Sequence, residues 1–269
     1  MRLAIPRETH PGENRASVTP ETVKKLVRLG AEVIIESGAG TGCGIADADY
    51  TAEGATIEAD RDALLGGADM VLRLRKPDTD EVAKLKSGCI HVSYLDPFNE
   101  HALIKEFAAK NITAVSMEMI PRSTRSQKMD ALSSQANLAG YIAVMLAATR
   151  LPRIFPMMMT PAGTLKPAKV FIIGAGVAGL QAIATAKRLG AKVTAFDTRP
   201  VVAEQVQSLG GKFLEIDLGD TGQTKDGYAR ELTPEQVEIQ RQAQKDVIAE
   251  SDVVITTAQV FGRKPPVLV

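Results

Sequence analysis

A glycine-rich stretch followed by one acidic residue is the clearest indication of chemistry in this sequence. Gly174, Gly176 and Gly179 form a G-x-G-x-x-G pattern directly after the short β-branched run Val170–Ile173. In such a turn the first glycine permits a tight bend, the second lets the backbone approach a pyrophosphate, and the third lets helix and strand pack closely. The following helix directs its free N–H groups and its positive dipole end at the phosphates. The pattern therefore predicts a dinucleotide-binding turn.

The acidic residue is Asp197, which ends a second predicted strand, Val193–Phe196. A carboxylate at this position accepts hydrogen bonds from the ribose hydroxyls of an adenosine and repels a 2′-phosphate, which favours NAD(H) over NADP(H). The alternative is a glycine-rich turn in another kind of α/β domain. That interpretation makes Asp197 a coincidence.

The elements around this motif alternate between strands and helices, which predicts parallel sheets covered on both faces. In the first half, Thr19 caps a helix that begins at Pro20 and ends at Gly30, and a second helix covers Asn99–Lys110. The strands predicted there are Leu3–Pro6, Val33–Glu36, Met70–Leu74, Cys89–Ser93 and Thr113–Ser116. This half has no phosphate-binding pattern at its first turn.

A polar stretch, Pro121–Ser134, and a long helix, Asn137–Arg150, lead to the second half. We interpret Leu151–Pro167 as the crossing between domains, with Met157–Met159 filling gaps in a core. The fold class is α/β with two doubly wound parallel-sheet domains, the second a Rossmann dinucleotide fold. The expected boundaries are 1–136 for the N-terminal domain, 137–167 for the connecting helix and linker, and 168–269 for the NAD(H)-binding domain.

The second domain looks truncated at its C-terminus. Two further strands are predicted near Lys212–Leu214 and over Val253–Thr256, and helices are predicted near Pro200–Leu209 and over Pro234–Glu250. The second domain then has four strands, whereas a full doubly wound fold has six. The long polar loop from Asp217 to Thr233 is expected to be a lid or disordered.

Composition excludes several classes of function. Lys+Arg and Asp+Glu balance at 32 each over 269 residues, so no nucleic-acid footprint or basic membrane patch is expected. Cys43 and Cys89 are interpreted as free thiols in a reducing compartment. We find no signal peptide and no metal-ligand spacing, and the apolar run Tyr141–Thr149 is too short to span a bilayer. A cytoplasmic protein with no direct membrane span is expected, and the three histidines, His10, His91 and His101, are expected to be structural or to lie at the surface.

Two stretches identify a family by resemblance. Pro6-Arg7-Glu8-Thr9, with Glu13-Asn14-Arg15 and Val18-Thr19-Pro20, resembles alanine dehydrogenase and the NAD(H)-binding domain I of the alpha subunit of proton-translocating nicotinamide nucleotide transhydrogenase. The run from Arg122 to Tyr141 resembles the transhydrogenase in particular. The resemblance covers nearly the whole chain, and the family's domain continues for about one hundred residues at its C-terminus, with further strands expected there.

Two departures separate the chain from alanine dehydrogenase. Arg75 stands where that enzyme has a lysine on its substrate carbonyl, and Asp96 stands where it has an acid/base histidine. An imidazole titrates near pH 7 and an ordinary aspartate does not. An amino-acid dehydrogenase must move a proton with the hydride, whereas hydride passes directly between two nicotinamide rings in a transhydrogenase. Arg15, a carboxylate ligand in alanine dehydrogenase, is expected to be structural here.

The resemblance also assigns site residues. Arg122, Gln127, Asp130 and Ser133 are the expected catalytic group: Asp130 and Ser133 hold the carboxamide, Arg122 contacts the nicotinamide end or the pyrophosphate, and Gln127 contacts the nicotinamide ribose. Tyr141, early in the next helix, supports this loop or is simply a half-buried aromatic. The expected cofactor-binding residues are Gly174, Gly176, Val177, Gly179, Asp197, Thr198, Arg199, Gly227, Tyr228, Gln240, Gln259, Arg125 and Tyr141.

By the same resemblance, the chain is expected to bind NAD(H) as one component of a Re/Si-specific, proton-translocating NAD(P)+ transhydrogenase. Its partners are components that bind NADP(H) and span the membrane, so it would be cytoplasmic and peripheral to the inner membrane, and it would form a homodimer. Two alternatives remain open. They are an alanine dehydrogenase-like amino-acid dehydrogenase and a truncated NAD-binding module without activity.

Overall fold

The chain divides into two compact units, Met1–Ala131 and Leu132–Val269. The structure, a computed structural model, describes residues 1–218 and 233–258. Three residues of the expected cofactor site, Gly227, Tyr228 and Gln259, lie outside the described residues, as does most of the expected lid.

Unit 1 alternates strands and helices, as the sequence predicts. Its elements are β1 (Arg2–Ile5), α1 (Pro20–Arg28), β2 (Glu32–Glu36), α2 (Asp47–Ala52), β3 (Thr56–Glu58), α3 (Arg61–Gly67), β4 (Met70–Leu72), α4 (Thr79–Lys84), β5 (Ile90–Ser93), α5 (His101–Ala109) and β6 (Thr113–Ser116). The side chain of Thr19 accepts the N–H of Thr22 and caps α1, as expected. The strand β3 was not predicted, because its three residues are too few to show a pattern.

The sheet of unit 1 is parallel, with the order β3-β2-β1-β4-β5-β6 in residues 1–131, all of which are described. Alternate residues of the central strands enter different cores: Leu3 and Ile5 pack into one, and Ala4 packs into the other. Both faces of the sheet are therefore buried, which explains the apolar, β-branched runs at its centre.

Unit 2 carries the glycine motif. Its elements are α6 (Ala131–Arg150, beginning at the last residue of unit 1), the hairpin strands β7 (Met158–Thr160) and β8 (Gly163–Leu165), then β9 (Lys169–Ile173), α7 (Val177–Arg188), β10 (Lys192–Phe196), α8 (Ala203–Ser208), β11 (Lys212–Phe213), α9 (Pro234–Ala249) and β12 (Val253–Thr256). Among the described residues its parallel sheet has four strands in the order β11-β10-β9-β12. The central strand β9 buries Val170 and Ile172 on one face and Phe171 and Ile173 on the other.

Two expectations for the connecting region were wrong. The helix α6 begins at Ala131 rather than Asn137, so the end of the expected polar loop is helical. Met157, Met158 and Met159 do not fill a core, since all three are exposed and the last two lie in the β7–β8 hairpin. A two-stranded hairpin has no second layer to cover its side chains, which is why its apolar residues face solvent.

The length of α6 has a second consequence. With 20 residues, α6 is long and apolar enough, by length and composition alone, to cross a membrane. The apolar run Tyr141–Thr149 is only part of this helix, so the sequence pattern underestimated its length. Its inner side belongs to unit 2, where Gly140 and Val144 are buried. A Cβ on Gly140 would lie 2.1 Å from the carbonyl oxygen of Ala178, so α6 packs tightly on α7.

Candidate functional site

The turn between β9 and α7 has the backbone that the glycine pattern predicts. Gly174 has a φ of +98°, in the region that favours glycine. A Cβ on Gly179 would lie 1.8 Å from the carbonyl oxygen of Gly174, so α7 lies directly against the turn. A Cβ on Gly176 would meet nothing within 4 Å, so the space beside this residue is open. The turn is thus closed on its protein side and open at Gly176, where α7 presents its N-terminal N–H groups.

Asp197 closes the turn from β10. Its carboxylate accepts the N–H of Ala175 at 2.8 Å and the N–H of Arg199 at 2.9 Å. The guanidinium of Arg199 folds back to donate to both carboxylate oxygens, from Nε at 3.0 Å and from Nη2 at 3.1 Å. The side chain of Asp197 is 8% exposed. Burial acts to raise the pKa of Asp197, but the hydrogen bonds from Arg199 and Ala175 outweigh burial and hold the pKa below its ordinary value.

This arrangement keeps Asp197 ionised at neutral pH and fixes its position. It also commits both carboxylate oxygens to protein donors, so a ribose hydroxyl would share an oxygen with Arg199 or displace its guanidinium. Thr198, between the two, is half-buried. Val177, the first residue of α7, is partly exposed beside the turn.

Thr257 is a residue of the turn that sequence reasoning missed. It follows β12, and its hydroxyl donates to the carbonyl oxygen of Gly174 at 2.9 Å. Because β9 is flanked by β10 and β12, the connections leave toward opposite faces here, which makes this edge the topological switch point where ligands bind in such folds. The available signal was position: Thr257 is the residue directly after the predicted strand Val253–Thr256.

Gln240 lies on α9, which is far from the glycine turn along the sequence. Its side-chain oxygen Oε1 is buried without a hydrogen-bond partner among the described residues, and so is Nε2 of Gln244, one turn later. A buried amide atom without a partner is costly, so Oε1 of Gln240 is suited to accept a hydrogen bond from a further polar group and Nε2 of Gln244 is suited to donate one.

The expected catalytic residues lie in two places along the chain. Arg122, Arg125, Gln127 and Asp130 belong to unit 1, where Thr124–Met129 forms a 3₁₀ helix rather than an open loop. Nε of Arg122 lies 3.6 Å from Oδ2 of Asp130, so an ion pair joins the two ends of this segment. Gln127 and Arg125 are exposed.

Ser133 and Tyr141 belong to unit 2. Ser133 is in the first turn of α6, and Tyr141 comes eight residues later and is 45% exposed. Tyr141 was expected early in its helix, but the earlier start of α6 moves it to the third turn. Leu138 and Ile142 of the same helix are exposed as well.

The positions that carry catalysis in alanine dehydrogenase have different partners here. Nε of Arg75 donates to Glu13 at 2.9 Å. Asp96 has a positive φ of 51°, its backbone N–H donates to Glu118 at 2.5 Å, and its carboxylate accepts the amide of Asn99. The backbone at Asp96 is thus held by a buried carboxylate, while its side chain is engaged by a neighbour in the same turn.

Family models match both halves of the chain. The N-terminal domain of alanine dehydrogenase/PNT matches residues 4–139, and the C-terminal domain of the same family matches residues 143–269. An NAD(P) transhydrogenase alpha subunit protein of Rhodospirillum rubrum is 48% identical over the whole chain, which covers 72% of that protein. The alanine dehydrogenase of Mycobacterium tuberculosis is 29% identical over the whole chain, which covers 67% of it.

Among solved structures, a transhydrogenase is again more similar to the chain than an alanine dehydrogenase. The transhydrogenase from Sinorhizobium meliloti superposes with a TM-score of 0.87 at 42% identity, over 99% of this chain and 72% of that one. An L-alanine dehydrogenase superposes with a TM-score of 0.80 at 26% identity, over 100% of this chain and 69% of that one. The chain belongs to the alanine dehydrogenase/PNT family, and within it the transhydrogenase alpha subunits are more similar to it than the alanine dehydrogenases.

Proposed function

We propose that this chain is the NAD(H)-binding component of a proton-translocating transhydrogenase. The observation that carries the proposal is the turn of unit 2: Gly176 faces open space, and Asp197 is anchored beside it at the switch point of the sheet. The similarity to transhydrogenase alpha subunits supports the same assignment. The adenosine ribose binds at Asp197, Thr198 and Arg199, and the pyrophosphate binds at the turn Gly174–Val177.

The proposal is tested by titrating NADH and NADPH into the purified chain and following nucleotide fluorescence. Asp197→Asn keeps the size of the side chain and removes its charge. We expect NADH to bind more tightly than NADPH, and the variant to lose at least about tenfold in NADH affinity, since a good charge-assisted hydrogen bond contributes about 1.5–3 kcal/mol.

Asp246→Ala is the matched control, because Asp246 is an exposed carboxylate of the same unit, bonded only locally to Gln242 among the contacts described. It should leave NADH binding unchanged. Equal NADH affinity in Asp197→Asn and in the parent chain would refute the adenosine assignment. No binding of either nucleotide would favour the interpretation as an inactive nucleotide-binding module.

We further propose that the segment from Arg122 to Ser133 orients the nicotinamide for transfer to NADP+ held by a partner domain. The hydride leaves C4 of NADH and enters C4 of the second nicotinamide, giving NAD+ and NADPH without a proton from this chain. Orientation is the contribution required, because a displacement of about 1 Å can cost about 100-fold in rate. The ion pair between Arg122 and Asp130 supports this role, since it restrains the segment at both ends.

Transfer is measured by rapid kinetics with NADH and an NADP+ analogue on the purified NADP(H)-binding partner. Gln127→Asn and Asp130→Asn should slow transfer by at least about tenfold at saturating NADH with little change in NADH affinity, because they affect orientation more than binding. Lys128→Gln, on the same exposed 3₁₀ helix, is the control. Full transfer rates in both Gln127→Asn and Asp130→Asn would reject the assignment.

A homodimer is also proposed, supported by an exposed apolar surface of unit 2. Leu138, Ile142 and Leu146 recur every four residues on α6 and are each about half exposed, and Tyr141, three residues after Leu138, is similarly exposed. A contiguous exposed apolar stripe of this kind is typical of a protein–protein contact. Sedimentation velocity should show a dimer that Ile142→Glu dissociates, while Asn137→Glu, at an exposed position on another side of the same helix, should leave it intact. A monomeric parent chain would reject the dimer proposal.

The alanine dehydrogenase alternative is less well supported by the geometry. Arg75 is engaged by Glu13, and Asp96 occupies the place of the acid/base histidine. We expect no consumption of NADH with pyruvate and ammonia. Measurable turnover in that assay would favour the alternative.

A further inference from the structure

Protein donors engage the carboxylate of Asp197 on both of its oxygens. An ionised carboxylate has about four acceptor positions, two on each oxygen. Oδ1 accepts the backbone N–H of Arg199 at 2.9 Å and Nε of the same residue at 3.0 Å. Oδ2 accepts the backbone N–H of Ala175 at 2.8 Å and Nη2 of Arg199 at 3.1 Å. A ribose hydroxyl must therefore compete with these donors for the carboxylate.

The donor that can yield to a ligand is the side chain of Arg199. The other two donors are backbone N–H groups, one in the glycine turn and one directly after β10, so their positions are fixed by the main chain. The guanidinium lies at the end of a long side chain with several rotatable bonds. The side chain of Arg199 is 31% exposed, whereas that of Asp197 is 8% exposed. The guanidinium therefore covers Asp197 on the side that is open to solvent.

This guanidinium changes how the acid acts on a 2′-phosphate. A lone carboxylate at the end of this strand repels such a phosphate and so favours NADH. The ion pair of Asp197 with Arg199 carries no net charge, which weakens that repulsion. A guanidinium also has paired N–H groups in one plane, which suit the oxygens of a phosphate. A ribose hydroxyl thus competes with Arg199 for Asp197, whereas a 2′-phosphate gains Arg199 as a partner.

We propose that Arg199 is a specificity-determining residue that narrows the preference of this site for NADH over NADPH. It opposes the binding of an unmodified ribose to Asp197, and it shields and binds the phosphate of a phosphorylated ribose. NADH remains the preferred nucleotide, but by a smaller margin than Asp197 alone would give.

The inference deepens the proposed function and rests on it, because it requires NADH to bind at the glycine turn of unit 2. The two fail separately. A chain that binds no NADH contradicts the proposed function. A chain that binds NADH with a selectivity that does not depend on Arg199 contradicts this inference alone.

The test measures the dissociation constants of NADH and NADPH for the full chain and for Arg199→Gln by nucleotide fluorescence. Glutamine keeps a polar side chain and removes the charge. We expect the ratio of the NADPH constant to the NADH constant to rise at least about tenfold in the variant, as for the loss of one charge-assisted hydrogen bond. An unchanged or smaller ratio in a folded Arg199→Gln would overturn the proposal.

Two shorter ligands locate the effect at the ribose. Adenosine 2′,5′-bisphosphate and 5′-AMP differ only in the 2′-phosphate, and both are measured by competition against NADH. Their ratio of dissociation constants should rise in Arg199→Gln as much as the ratio for the whole nucleotides. A rise that is confined to the whole nucleotides would place the effect away from the 2′-phosphate and would contradict the proposal.

Arg188→Gln is the matched control. Arg188 is an exposed residue at the C-terminal end of α7, the end opposite the glycine turn, and its replacement changes the charge of unit 2 by the same amount. The ratio should stay at the value of the parent chain. An equal rise in Arg188→Gln and Arg199→Gln would show that overall charge sets the selectivity, which would overturn the proposal.

Asp197→Asn gives an independent check that does not require Arg199→Gln to fold. It removes the charge that holds the guanidinium, so NADPH should bind at least about tenfold more tightly than to the parent chain. Adding Arg199→Gln should remove that gain. Circular dichroism checks the folding of each variant. A folded Asp197→Asn that binds NADPH no more tightly than the parent chain would show that Arg199 does not serve a 2′-phosphate.

Discussion

The two units share a parallel α/β topology, yet different kinds of residue follow the central strands β1 and β9 of their sheets. In unit 2 the first strand after the linker, β9, ends in glycines, and the space beside Gly176 is open. In unit 1 the edge after β1 contains charged side chains, and Glu13 fills the space between two arginines. Open backbone N–H groups are suited to a phosphate, whereas the arginines at the edge of unit 1 are already paired with a carboxylate of the chain. The same topology therefore carries open backbone N–H groups at one edge and paired charged side chains at the other.

The largest effect that would break this comparison is expected at Gly179. In Gly179→Ala the new Cβ would lie 1.8 Å from the carbonyl oxygen of Gly174, so α7 must move away from the turn. We expect a loss of about 3 kcal/mol or more in the free energy of unfolding and loss of NADH binding. Urea unfolding and NADH titration measure the two effects.

The control lies in the corresponding segment of unit 1. Gly12 has a φ of +79°, but a Cβ there would meet nothing within 4 Å. Gly12→Ala should cost only about 1–2 kcal/mol, from backbone conformation alone, and should leave NADH binding unchanged. Equal costs at Gly12 and Gly179 would show that close packing at the turn is not what distinguishes the two edges.

A second difference between the units is their response to acid. Unit 1 buries His91, whose ring nitrogens have no hydrogen-bond partner among the described residues. It faces Arg73 and Glu81, and its ring centroid lies 5.1 Å from that of Phe107. Burial, reinforced by the charge of Arg73, lowers the pKa of His91 to about 3. In unit 2 the acid-sensitive group at the turn is instead the carboxylate of Asp197, whose pKa, despite its burial, is held low by hydrogen bonds from Arg199 and Ala175, so it takes up a proton at lower pH than His91 does in the unfolded chain.

The sign of the pH dependence follows from this pKa. The unfolded chain takes up a proton on His91 below pH 6.5 and the folded chain does not until about pH 3, so folding is progressively disfavoured as the pH falls between these values. His91 should therefore lower the free energy of unfolding by about 2 kcal/mol between pH 7 and pH 5. His91→Leu should remove that slope, measured by urea unfolding across this range, and His101→Gln, at an exposed histidine, should retain it. An unchanged slope in His91→Leu would contradict the assignment.

The smallest expected effect concerns single hydroxyl groups that fix a turn in each unit. Thr257→Val removes the hydrogen bond to Gly174 and should cost about 1 kcal/mol, together with a several-fold loss of NADH affinity, because the turn loses one of its two anchors. Thr19→Ala removes the cap of α1 and should cost about 1 kcal/mol as well, with no effect on NADH. Thermal unfolding and NADH titration separate the two. If Thr19→Ala weakened NADH binding as much as Thr257→Val, the turn would not be the site.

Much of the fold could be predicted from short patterns, because buried parallel strands require apolar, β-branched runs. The predicted strands Leu3–Pro6, Val33–Glu36, Val170–Ile173 and Val193–Phe196 correspond to β1, β2, β9 and β10, and the first of them ends at Ile5. The element boundaries were less certain where polar residues begin a helix. Ala131–Ala136 belongs to α6, although Ser133, Ser134 and Gln135 looked typical of a loop, since packing along the rest of the helix outweighs a weak local preference.

Part of the candidate site could likewise be predicted from the sequence, and part could not. The sequence determined the glycine turn and Asp197, since only glycine tolerates the φ of Gly174 and the contact at Gly179, and since the acid follows a strand at a fixed distance. Only the tertiary structure decided that Thr257 anchors the turn across the sheet, that Arg199 occupies the carboxylate of Asp197, and that Glu13 lies between Arg15 and Arg75. The contacts of Thr257 and Arg75 join residues 83 and 62 positions apart. No local pattern specifies such pairs, because it is the order of the strands in the sheet that brings them together.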